Sequence, residues 1–211
     1  EDGVLAATHT WNRSYPLIKI PEIDSINSVK RNIEQTNKEQ SVVTVAFYGA
    51  ALGQADQTGL DLISEALSDM GSRLFSRIRE ELGLAYYVGA QNFSGIGTGC
   101  FTFYAGTGAD SAKQVEEELI AQAKALSLEG LTKEELHRAK AKLLGQRKIA
   151  RQELGSVAFN ACMDELLGLG FNHSIDEEER IKNITLDQVL DVSGRFFSIN
   201  NYAVAISTPS S

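Results

Sequence analysis

Two hydrophobic periods alternate along the chain, and their order predicts its elements. Residues 29–35 read as a first strand. SVVTVAFYG at 41–49 is rich in Val, Thr, Phe and Tyr and too apolar for a sheet edge, so it reads as a second. The polar turn Thr36-Asn37-Lys38-Glu39 between them predicts a hairpin. Over 57–70 the period changes. Leu60, Ile63, Leu67 and Met70 recur at spacings of three and four, which is one apolar helical stripe. Gly71 interrupts it, and Leu74, Ile78 and Leu82 continue as a second short helix. Gly83 falls just past that helix, where a left-handed cap residue is expected. AYYVGAQNF (85–93) and GCFTFYAGT (99–107) then flank the flexible turn Ser94-Gly95-Ile96-Gly97-Thr98, a second hairpin.

After Gly108 the period is helical almost to the end. Val115, Leu119, Ala123 and Leu126 form one stripe. Thr132 and Glu135 have the spacing of a capping box and open a long helix through Leu136, Ala139, Leu143 and Leu144. A further helix restarts at Ser156 and carries Val157, Cys162, Leu166 and Leu167. Thr185 and Gln188 form another box before Val189, Val192 and Phe196, and YAVAIS (202–207) is a last strand. Clustered strands followed by clustered helices predict an α+β fold, a largely antiparallel sheet covered on one face by helices.

Domain organisation follows from proline. Pro16 and Pro21 lie in a start without sustained period, so residues 1–25 read as a linker or arm from a preceding half. No proline occurs between Pro21 and Pro209, which predicts one continuous domain over 26–208. The chain begins at Glu1 without a signal segment, so either a leader has been removed or the chain is a piece of something longer.

Composition narrows the function. With 43% hydrophobic and 23% charged residues in 211, the chain is neither disordered nor fibrous. No apolar run reaches the ~20 residues of a membrane span. A net charge of -8 disfavours nucleic-acid binding. Cys100 and Cys162 allow one disulfide at most and read instead as two buried thiols. The three histidines, His9, His137 and His173, are scattered, and none sits in H-E-x-x-H or its inverse. Each reads as a surface or packing residue. No metal site and no catalytic residue is therefore expected on this chain alone, and Glu177-Glu178-Glu179 reads as a solvated helix face. There is no G-x-S-x-G and no P-loop.

One constellation has chemistry. Arg79 closes a helix, Tyr86 opens a strand, and Gly83 turns the chain between them. Such a corner can aim a fork of donors and a phenol at one point, suited to a peptide carbonyl or an oxyanion. Alternatively Arg79 pairs with a nearby carboxylate and Tyr86 packs with its hydroxyl at the surface.

LFSRIREELGLAYYVGA (74–90) resembles the Leu-Arg-Glu-x-x-Gly-Leu-x-Tyr stretch of pitrilysin/insulinase-type (M16) zinc peptidases. LTKEELHRAKAKLLG (131–145) resembles a helix of the same family, and ITLDQVLDVSGRFF (184–197) with YAVAIS resembles its closing helix and strand. The order and spacing agree from about residue 29 to 207. The resemblance implies a LuxS/MPP-like metallohydrolase fold, here the C-terminal, zinc-free half of a clamshell that closes around extended peptide substrates. It implies zinc in the full enzyme, on an N-terminal half or partner subunit, and none bound by this chain. It implies that Arg79 binds substrate carbonyls and that Tyr86 hydrogen-bonds near the scissile carbonyl. The alternatives are a non-catalytic scaffold subunit of the same family and a stand-alone module that captures peptides on a sheet edge. The bacterial periplasm and the cytoplasm both stay open as locations.

Overall fold

The computed structural model describes residues 26–210. The expected arm, residues 1–25, lies outside the described residues. Five strands form one sheet: β1 (Lys30–Thr36), β2 (Ser41–Gly49), β3 (Ala85–Ser94), β4 (Gly99–Thr107) and β5 (Ala203–Pro209). Their order is β1-β5-β2-β4-β3. All neighbours are antiparallel except β1 and β5.

The second expected hairpin forms as β3–β4, but the first does not. β5, the last element of the chain, inserts between β1 and β2 and pairs with both. The reason lies in β1 itself. KRNIEQT is charged and polar, and none of its residues is buried. It can serve only as an edge, while the apolar β2 needs neighbours on both sides.

Six α-helices are described: α1 (Gln57–Leu67), α2 (Ala112–Glu129), α3 (Lys133–Ala150), α4 (Leu154–Leu166), α5 (His173–Asn183) and α6 (Leu186–Phe196). They lie on one face of the sheet. The core between the layers holds Val43, Val45, Phe101, Phe103, Leu60 and Ile63, all fully buried. Phe47, Phe101, Phe103 and Phe197 pack edge-on or tilted, with ring centroids 4.8–5.9 Å apart. Both capping boxes form as read: the Thr132 and Thr185 hydroxyls accept from the Glu135 and Gln188 amides, and the reverse bonds are present.

Three expectations change. The 57–70 stripe stops at Leu67, which leaves Met70 exposed. Glu177 and Glu178 are buried rather than solvated. The Thr58 hydroxyl donates to Glu177 at 2.6 Å, His173 lies 3.2 Å from its other oxygen, and Arg151 pairs with Glu178. Burial is tolerated because those partners are supplied. The cysteines are free: Cys100 is half-buried on β4, and Cys162 is exposed because α4 turns no residue into the core.

Candidate substrate-binding corner

Residues 72–87 build one corner from three departures from regular backbone. The first is a π-helical segment, Phe75–Glu81, in place of the expected second short helix. Leu74 and Ile78 anchor it in the core, and the Ser72 hydroxyl accepts from the Phe75 amide at 3.2 Å. The Leu82 amide reaches back five residues to the Arg77 carbonyl. Such wide turns are rare overall and frequent at functional sites. The second is Gly83, at φ +64°, the left-handed cap the sequence predicts. It lets the Leu84 amide donate to the Ile78 carbonyl at 2.9 Å, which closes the helix end. The third is a β-bulge. Ala85 pairs with Thr107 but Tyr87 pairs with Gly106, so Tyr86 is the extra residue of β3. A bulge frees one residue from the alternation of the strand and re-aims its side chain.

The two candidate residues occupy these departures. Arg79 sits in the last turn of the π segment, exposed. Its guanidinium lies 4.9 Å above the Phe75 ring. Among the described residues no carboxylate pairs with it, so the alternative of a structural ion pair is not realised. Its neighbours differ. Arg73 donates to Glu135 (Nε–Oε1 2.7 Å), and Arg77 donates to Glu81 and Glu118 at 3.0 and 3.3 Å. Glu135 accordingly sits below the usual carboxylate range. Burial alone would raise it, but bonds from Arg73 and Thr132 outweigh that. Tyr86 is 59% exposed, and among the described residues no hydrogen bond engages its hydroxyl. The corner brings Arg79 and Tyr86 to one exposed turn without joining them to each other. An unpaired fork of donors and a free phenol are what a ligand carbonyl requires.

The outer edge of β3 is partly occupied, which the sequence did not signal. The hydroxyls of Ser64 in α1 and of Ser68 just past its end reach the Ala90 carbonyl at 3.3 and 2.5 Å, and the Asn92 amide donates to Ser64 at 3.2 Å. A strand added to that edge would have to displace α1 there.

The residues present do not fit a zinc site. Zinc needs three or four Cys, His or carboxylate ligands converging on one point. His137 is exposed on α3, His173 is committed to Glu177 on α5, and His9 lies outside the described residues. Among the described residues no three His, Cys, Asp or Glu side chains converge. Two clefts, of 580 and 730 Å³, lie among the helices, and neither includes Arg79 or Tyr86. Among the described residues no helix is long and apolar enough to cross a membrane.

Fold and corner together define an α+β domain with an exposed arginine and tyrosine at one corner and no convergent metal-ligand set among the described residues. The family model described as the peptidase M16 inactive domain matches residues 10–143. The chain belongs to the peptidase M16 family. It is 30% identical over 174 residues to the uncharacterized zinc protease YmxG of Bacillus subtilis (strain 168), a match over 82% of this chain and 42% of that protein. Two solved structures share its fold. One is a peptidase M16 inactive domain from Pseudomonas fluorescens, with TM-score 0.83 and 19% identity over 92% of this chain and 46% of that one. The other is a protease from Helicobacter pylori, with TM-score 0.85 and 17% identity over 99% of this chain and 52% of that one. The chain spans about half the length of these relatives, or less.

Proposed function

We propose that this chain is the substrate-binding C-terminal half of an M16-type zinc endopeptidase, a domain spanning 26–208. The zinc, its ligands and the general base belong to an N-terminal half or a partner subunit, and the substrates are extended peptides. The observation that carries this reading is Arg79, an exposed guanidinium with no carboxylate partner among the described residues, just after the paired Arg73 and Arg77 and seven residues before a tyrosine displaced by a bulge. Arg79 donates to backbone carbonyls of the bound peptide and fixes its register. Tyr86 donates its phenolic proton toward the oxygen of the scissile carbonyl, where negative charge develops during attack.

The scaffold alternative gives no use to two unpaired donors at one corner. The edge-capture alternative is disfavoured at residues 90–92, where α1 already satisfies the outer edge of β3. Peptide hydrolysis by the full-length protein and its Arg79→Ala and Tyr86→Phe variants tests the reading. Each change is expected to lower kcat/KM at least about tenfold, some 1.4 kcal/mol in barrier, with the zinc content unaltered. Unchanged turnover in both variants would remove the assigned roles.

A further inference from the structure

The face of the sheet against which no described helix packs carries no charge over β2, β3, β4 and β5. Opposed residues share a face, so the registers assign it: Thr44 with Tyr104, Tyr104 with Gly89, Gly106 with Tyr87, Thr44 with Ala205. Every position on that face of β2, β3, β4 and β5 is aliphatic, aromatic, hydroxyl, thiol, amide or glycine. In a chain with 23% charged residues, a sheet face that no described helix covers would ordinarily carry them.

Two glycines shape the centre of this face. A Cβ at Gly106 would stand 2.3 Å from the Tyr87 ring, and one at Gly89 would stand 2.8 Å from the Tyr104 hydroxyl. Each tyrosine thus lies down over the glycine opposite it on the neighbouring strand. The rings sit with centroids 6.3 Å apart. They form an aromatic floor, and Tyr87 is still 44% exposed. The floor begins at the residue after Tyr86, so a ligand held at the bulge lies beside it.

We infer that Tyr87 and Tyr104 form a subsite for a bulky uncharged side chain, aromatic or branched aliphatic, next to the peptide bond held by Arg79 and Tyr86. The inference rests on the proposed substrate-binding role. An apolar side chain laid on two rings loses water on both sides, whereas a charged one would lose hydration on a face that offers it no partner.

The test is hydrolysis by the full-length protein of a fluorogenic peptide series that places Phe, Leu, Ala, Asp or Lys beside the cleaved bond. The native protein should favour Phe and Leu over Ala by about tenfold in kcat/KM, with Asp and Lys lowest. Tyr87→Ala and Tyr104→Ala should shrink the Phe-over-Ala preference to about twofold, mainly through a higher KM for the Phe peptide. Tyr104→Phe, which keeps the ring, should restore most of it. A preference that survives Tyr87→Ala, or a native preference for Asp or Lys, overturns the subsite. Arg79→Ala separates the two claims, because it should slow every peptide alike. If it slows none while Tyr87→Ala still erases the preference, the carbonyl-binding role falls and the subsite stands. A full-length protein without peptidase activity overturns both.

Discussion

Arg79 and Asp61 show how much a single residue's surroundings decide. Arg73, Arg77 and Arg79 lie within one short stretch of similar composition, yet among the described residues only the first two have carboxylate partners. Asp61 on α1 is the reverse case, a carboxylate drawn inward. Burial pushes its carboxyl up, and the charges of Glu177 and Glu65 add to that; Asn92, donating at 2.7 Å, and Arg147 only partly offset it. Its folded-state value lies above the unfolded one, near 3.8. Its contribution to stability is therefore fully present in acid below the unfolded value, and is lost as pH rises through the folded value. Asp61→Asn keeps the acceptor and removes that loss. Thermal melts should place the variant about 2 °C above the native protein at pH 7, with the gap closing toward pH 4. An equal gap at both pH values would show that the charge is not the cause.

At the scale of elements, what the sequence shows depends on how local the cause is. Caps are local. Thr132 and Thr185 each act on an amide three residues away, so both boxes could be read directly, as could the left-handed Gly83. Thr132→Ala should cost about 1 kcal/mol, seen as a lower urea midpoint with an unchanged slope. No shift would mean that the Glu135–Arg73 pair alone fixes the start of α3. Strand pairing is not local. A polar turn after β1 is compatible with a hairpin, and only the arrival of β5 from the far end of the chain decides otherwise. The π segment and the bulge have no sequence signature of their own. Arg79 and Tyr86 could be picked out by residue type and spacing, but the backbone that presents them could not. Glu177 and Glu178 looked solvated because a charge run usually is. Their burial depends on Thr58 and Arg151, far away in sequence.

For the molecule as a whole, the scarcity of histidine takes on a definite meaning. A chain about half the length of its relatives, with no three metal ligands brought together among its described residues, fits the proposed reading in which this half binds peptide and the other carries the zinc. Its surfaces are divided accordingly: a packed helical layer, an uncharged sheet face, and a corner of unpaired donors where β3 begins. α4 adds exposed Leu154, Phe159 and Leu166, none of them covered by the described residues. The central claim is that peptide is held here and cut by groups elsewhere. The most direct measurement is peptide hydrolysis by the 211-residue chain alone, and then with the zinc-bearing half of the same protein added. No turnover is expected from the chain alone, and turnover dependent on Arg79 is expected once the other half is supplied. Turnover by the isolated chain, persisting after purification away from other proteases, would contradict it.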